Sequence, residues 1–126
     1  MDRDFYERWH QHPLRRLLNQ VANSKKPAVI HGDTLADLKL PARQGKALRE
    51  AMAQIEATSG ERRNQMADRL SAEILESLPG DYESREEQDS RRAEEGDPQA
   101  LAAVKARAEA TEEMADRVYR RARGQL

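Results

Sequence analysis

The sequence predicts an all-α protein, a small helical bundle built on a central helical hairpin with a long C-terminal helix. The two hairpin helices are expected at about residues 41–57 and 61–78, where apolar residues recur at helical spacing. The C-terminal helix is expected from Pro98 to about Arg123, where small and apolar residues recur every three or four positions. Nineteen alanines also favour helical structure over disorder.

The first hairpin helix is predicted to be amphipathic. Pro41 suits its first turn, where a missing N–H costs no hydrogen bond. At about 100° per residue, apolar residues fall on one arc and cations, interrupted by Glu50, fall on the opposite arc. The apolar arc contains Ala47, Leu48, Ala51, Met52 and Ile55, and the cationic arc contains Arg43, Lys46 and Arg49. We therefore expect the first arc to be buried.

A short turn is predicted to connect the two hairpin helices. Gly60 can adopt the left-handed backbone that such a turn needs, and Thr58 with Glu61 has the spacing of a capping box. The second helix ends at Pro79-Gly80. Its apolar face contains Met66, Ala67, Leu70, Ile74, Leu75 and Leu78. Because the connection is short, we expect the two helices to pack antiparallel.

Two further helices that meet at Pro13 are expected before the hairpin. Phe5 and Trp9 are four residues apart and share one face of the first helix. The second helix carries its apolar residues at positions i, i+3, i+4 and i+7. These are Leu14, Leu17, Leu18 and Val21. We expect residues 28–31 to be an extended connection rather than a strand, since no other segment offers a pairing partner.

The chain is predicted to have three parts. Residues 1–80 form a helical core domain, residues 81–97 form an acidic linker or a solvated helix, and residues 98–126 form a helix that docks on the core or dimerises. Asp97 followed by Pro98 is a favourable start for that last helix. Its residues at coiled-coil spacing are Leu101, Val104, Ala108, Thr111, Ala115, Val118 and Ala122.

Composition restricts the compartment and the classes of site. The chain has 126 residues and no cysteine, which excludes disulfides and thiolate metal sites. The N-terminus is charged from its second residue, and the longest apolar run, at residues 100–104, is too short to span a membrane. We expect a cytoplasmic protein. Leu, Ile, Val and Phe number only 20, so we expect a partner or self-association to supply further burial.

No catalytic motif is present, so we expect neither an enzyme nor a cofactor. The sequence has no P-loop, GxGxxG or GxSxG pattern, and none of its 23 carboxylates is singled out. His10, His12, His31 and Asp33 provide metal-binding side chains. On a helix, however, His10 and His12 lie about 200° apart and cannot share an ion. We therefore expect histidines at the surface or at helix ends, and no metal site.

The function predicted from the sequence is a non-catalytic interaction protein, namely an adaptor, regulator or assembly factor. The partner is another protein or a second copy in a homodimer. Trp, Tyr and Arg are frequent anchors of interfaces, and the N-terminal segment is rich in them. The expected partner-binding residues are Phe5, Trp9, Arg15 and Arg16. The alternative role for the aromatic residues is to cover the hairpin core.

The second candidate function is a nucleic-acid-binding regulator, with DNA as a candidate ligand. Residues 1–50 carry ten basic and six acidic side chains, a net charge of +4. The candidate contacts to phosphates are Lys25, Lys26, Arg43, Lys46 and Arg49. The simpler explanation is a solvated helix face, which Glu50 and the near-zero net charge of the whole chain favour.

Overall fold

The computed structural model describes residues 2–25, 30 and 32–122, with side chains described as far as Glu113. Over these residues the chain is helical and has no strand, which confirms the predicted all-α class. The helices are α1 (Arg3–Gln11), α2 (Pro13–Asn23), α3 (Gly32–Leu38), α4 (Ala42–Glu56), α5 (Arg62–Ser77), α6 (Arg85–Glu94) and α7 (Pro98–Ala122). They form two compact units, the first ending at Ser84 and the second beginning at Arg85. The predicted three-part division stays a prediction.

Helix α5 is the central helix of the first unit. It contacts α1, α2 and α4, and its contact with α2 is the most extensive. The buried apolar residues are Leu14, Leu17, Leu18 and Val21 on α2, Leu48, Ala51 and Ile55 on α4, and Ala67, Leu70, Ile74 and Leu75 on α5. The apolar faces predicted for these three helices are therefore confirmed.

His12 forms the junction between α1 and α2. It is only 2% exposed, and its Nδ1 accepts a hydrogen bond of 3.1 Å from the backbone N–H of Leu14. Pro13 follows as the first residue of α2. The predicted position of His12 at a helix end is confirmed, and its side chain caps that end by satisfying a backbone donor.

The connection between α4 and α5 is only partly as predicted. Gly60 has φ +70°, the left-handed conformation expected there. The capping box is wrong, because α5 begins at Arg62 and Glu61 makes no side-chain cap. The Thr58 hydroxyl instead donates a 2.8 Å hydrogen bond to the carbonyl of Gln54, so it gives a partner to a carbonyl in the last turn of α4.

Arg63 joins the C-terminal ends of two helices to the start of α5. Its Nε donates to the carbonyl of Ile55 at 3.2 Å, near the end of α4. Its two terminal nitrogens donate to the carbonyls of Ser24 and Val21, at 3.0 and 3.3 Å, at the end of α2. The carbonyls of Ile55 and Val21 also accept backbone N–H groups, from Thr58 at 3.1 Å and from Ser24 at 3.3 Å, so Arg63 adds a second donor to each. A cation is favourable at a helix C-terminus.

The predicted connection at residues 28–31 lies outside the described residues except for Ile30. Ile30 is half-buried and packs against the hydrophobic core of the first unit. This position agrees with the expected packing of apolar residues from this segment on the core.

The second unit consists of α6 and α7, which pack on each other. Asp89 of α6 is 5% exposed and forms ion pairs with Arg85 at 3.4 Å and with Arg107 of α7 at 2.8 Å. The Asp97 carboxylate accepts a 2.9 Å hydrogen bond from the N–H of Gln99, which confirms the predicted start of α7. The last three predicted coiled-coil positions have side chains outside the described residues. Within the described chain, no helix is long and apolar enough to cross a membrane.

We expect Arg63→Lys to lower the free energy of unfolding by about 1–2 kcal/mol, since a lysine ammonium cannot reproduce a planar fork that reaches carbonyls of two helices. Urea unfolding measures this loss. The matched control is Arg62→Lys at the neighbouring exposed arginine, which should change stability by less than about 0.5 kcal/mol. Equal effects of the two substitutions would contradict a bridging role for Arg63.

Candidate interaction surface on the first helix

Trp9 is anchored inside the first unit. Its side chain is 8% exposed, and its indole Nε1 donates a 2.9 Å hydrogen bond to the hydroxyl of Ser71 on α5. Ser71 is fully buried, and its hydroxyl donates to the carbonyl of Asp68 at 3.0 Å. The polar atom of the indole is therefore satisfied within the protein, and the bond attaches α1 to α5.

Arg15 of α2 covers the Trp9 ring. Its guanidinium carbon lies 4.7 Å from a ring centroid, within the range of a cation–π contact. The same guanidinium forms a 3.3 Å ion pair with Asp68, and Asn19 donates to the same carboxylate at 3.2 Å. Three helices thus meet at the indole, because Trp9 lies on α1, Arg15 on α2 and Asp68 on α5.

Two aromatic side chains remain exposed on α1. Tyr6 is 47% exposed, and its ring stacks on the exposed His10 ring with centroids 5.5 Å apart and planes at 14°. Tyr6 also contacts the Trp9 ring at 5.7 Å in a tilted arrangement. We call Tyr6 and His10 the aromatic surface of α1. The buried Trp9 ring packs against Tyr6 on the side that faces the core.

The structure separates the residues that the sequence suggested for partner binding. Phe5 is half-buried against the core, Trp9 is buried, Arg15 is held in the contacts above, and Arg16 is exposed. Their role in binding a partner stays a prediction. Sequence reasoning missed Tyr6, although its spacing of four residues from His10 is a signal that the two rings share a helix face.

The candidate cations for nucleic-acid binding lie partly on one exposed face. Arg43, Lys46 and Arg49 are all exposed on α4, and among the described residues none of the three makes a hydrogen bond or an ion pair. Lys25 is exposed as well, whereas Lys26 lies outside the described residues. The three α4 residues therefore form a cationic face that is exposed and makes no polar contact with the described part of the first unit.

The histidines do not gather into one site. His10 is exposed on α1, His12 is buried as a helix cap, and His31 lies outside the described residues. Among the residues that can be assessed, no group of three or more His, Asp or Glu side chains is placed to hold a metal ion.

A shallow groove of about 250 Å³ lies between α4 and α5. Its lining includes the apolar residues Ala51, Leu70 and Ile74 and the carboxylates Glu50 and Glu73. Both carboxylates are exposed to solvent. The groove therefore offers open surface rather than the enclosed setting in which carboxylates act in acid–base catalysis.

Comparison with protein-family models gives no match, and comparisons with curated proteins and with solved structures give no significant match. A functional proposal for this chain therefore rests on the chemistry of its own surfaces.

We expect Trp9→Phe and Ser71→Ala each to lower the free energy of unfolding by about 1–3 kcal/mol, because each leaves a buried polar atom without its partner. The loss of unfolding free energy in the double variant should be about 1 kcal/mol smaller than the sum of the losses in the two single variants, since both changes remove the same hydrogen bond. Urea unfolding of all four proteins measures this coupling.

Ser90→Ala, at an exposed serine of α6, controls for the higher helix propensity of alanine. Strictly additive losses for Trp9→Phe and Ser71→Ala would contradict a stabilising hydrogen bond between the two side chains.

Proposed function

We propose that this protein is a non-catalytic interaction protein, an adaptor, regulator or assembly factor that binds another protein through the aromatic surface of α1. The proposal includes the cytoplasmic location expected from a sequence without cysteine. The observation that supports it most directly is the exposed, stacked pair of Tyr6 and His10 above the buried Trp9.

The chemistry of this surface suits protein recognition. A tyrosine ring offers apolar contact area together with a hydroxyl that can donate or accept a hydrogen bond, and tyrosine is enriched at the centres of interfaces. Histidine adds a second ring with polar edges. A partner with an apolar pocket and a hydrogen-bonding group at its rim would match this pair.

The contacts that hold the Tyr6 ring in place also favour binding of a partner. Tyr6 contacts both His10 and Trp9, and Trp9 is held by its hydrogen bond to Ser71. A side chain whose rotamer is already restricted loses less conformational entropy when a partner binds. The contacts of Tyr6 thus preorganise part of the aromatic surface and lower the entropy cost of binding a partner.

We expect Tyr6→Ala to weaken partner binding about thirtyfold, the effect of losing an aromatic anchor worth about 2 kcal/mol. The measurement is affinity capture from a cell extract, with wild-type and variant protein as paired baits, followed by titration of the recovered partner. Far-UV circular dichroism checks that the variant keeps its helices.

The matched control is Gln11→Ala, an exposed change on the same helix, which should retain binding. Undiminished affinity of Tyr6→Ala for the recovered partner would contradict the proposed surface, and so would the failure of the wild-type protein to recover any partner.

The second candidate function is nucleic-acid binding through the cationic face of α4. The observation that favours it is the exposure of Arg43, Lys46 and Arg49 without hydrogen bonds or ion pairs to other described residues. Cations that are not engaged within the protein can contact phosphates along a backbone. The exposed Glu50 beside them opposes this role.

If this face binds duplex DNA, affinity should fall steeply with salt, with a slope of log K against log salt of about −0.9 for each neutralised phosphate. Changing Arg43, Lys46 and Arg49 together to Gln should reduce that slope by about 3. Fluorescence anisotropy of a labelled duplex measures it, with Arg62→Gln on α5 as the control. A binding constant that is independent of salt would exclude this function.

A further inference from the structure

The groove between α4 and α5 has an apolar floor and a polar rim. Ala51, Leu70 and Ile74 line the floor and are 2%, 9% and 6% exposed. Glu50 of α4 and Glu73 of α5 line the same groove and are exposed to solvent. An occupant of the groove therefore meets apolar carbon at the bottom and a carboxylate from each of the two helices at the edges.

Glu50 and Glu73 lie at nearly the same level along the two helices. The Gln44 side chain donates to the carbonyl of Ser77 at 3.0 Å, and residues 57–61 connect the helices at their other end, so α4 and α5 run in opposite directions. Glu50 comes six residues after Gln44, and Glu73 comes four residues before Ser77. At a rise of 1.5 Å per residue, the levels of the two carboxylates differ by only ~3 Å.

Neither carboxylate is neutralised by the described part of the protein. Glu50 and Glu73 make no hydrogen bond or ion pair to any described residue. Lys46 and Arg69 each precede one of these carboxylates by four residues. That order is the less favourable one for an ion pair within a helix, and neither pair is formed among the described residues. The groove thus presents two unpaired negative charges above apolar carbon.

We propose that this groove binds an arginine side chain of a partner protein. In the bound state the guanidinium lies between the carboxylates of Glu50 and Glu73, and the methylene stem packs on Ala51 and Ile74. This inference concerns α4 and α5 and does not depend on the aromatic surface of α1.

The size and burial of the groove favour a single long side chain. Its volume of about 250 Å³ is below the roughly 300–1,000 Å³ that is typical of pockets for small-molecule ligands. The floor is almost fully buried already, so it offers little apolar area to the face of a whole helix. A methylene stem needs only a narrow apolar strip, and its charged head stays at the rim.

The two carboxylates favour arginine over lysine. A guanidinium is planar and carries five N–H donors in a rigid fork, so its separate edges can donate to two carboxylates. Such charge-assisted hydrogen bonds are stronger than those between neutral groups. A lysine ammonium is a compact and strongly hydrated charge, which gives up more hydration for fewer directed hydrogen bonds.

The test is a titration of the full chain with acetyl-Gly-Arg-Gly amide, followed by the NMR signals of the backbone amides. We expect saturable shifts at the amides of Ala51 and Ile74. The matched control peptide carries citrulline, which keeps the shape of arginine without its charge, and it should bind about tenfold more weakly. A peptide with lysine in place of arginine should also bind more weakly.

Glu50→Gln and Glu73→Gln should each weaken binding of the arginine peptide about threefold, because each removes one charge and keeps the shape of the side chain. Glu56→Gln is the control variant, because Glu56 is exposed on α4 and lies outside the groove lining. It should leave binding unchanged. Circular dichroism checks that all three variants keep their helices.

Several results would overturn the proposal. One is a titration without saturable shifts at the groove amides, and another is citrulline binding that is as tight as arginine binding. An affinity that is insensitive to both Glu50→Gln and Glu73→Gln would overturn it equally. Lysine binding as tight as arginine binding would overturn the choice of arginine as the occupant.

Discussion

The hydrogen bond from the Trp9 indole to Ser71 is the contact on which the arrangement of the first unit depends. Tryptophan has the largest apolar side chain, but its N–H must find an acceptor when it is buried. Ser71 supplies that acceptor from the middle of α5, at 2.9 Å. Burial of the ring and satisfaction of its donor therefore occur only when α1 lies on α5.

Helix α5 makes polar side-chain contacts with its neighbours at several positions along its length. Arg63 near its start binds carbonyls at the ends of α2 and α4, and Ser71 in its middle binds Trp9 of α1. Asp68 between them pairs with Arg15 of α2. The apolar faces of α2, α4 and α5 together form the buried core, and these polar contacts determine which helix meets α5 at which position along it. The position of the aromatic surface of α1 therefore depends on these polar contacts.

Helical periodicity predicted the apolar arcs, because burial of a helix face depends on local spacing that a sequence displays directly. It could not distinguish the roles of Tyr6 and Trp9, since three residues of separation place both near one side of α1. The bonds of Arg63 had no sequence signal either, because backbone carbonyls distant in the chain accept them. The capping box at Thr58 failed because the same hydroxyl had a competing acceptor one turn earlier. Local pattern thus predicted the core of the fold but little of the candidate surface.

Trp9 is the only tryptophan of the chain, so its fluorescence reports on the central contact without any substitution. The most direct measurement is the emission spectrum of the native protein and its quenching by acrylamide, each compared with the urea-unfolded chain. The buried, hydrogen-bonded indole described above predicts emission at clearly shorter wavelength and much weaker quenching in the native protein. Emission and quenching that match those of the unfolded chain would contradict the burial of Trp9, and with it the support of the aromatic surface of α1.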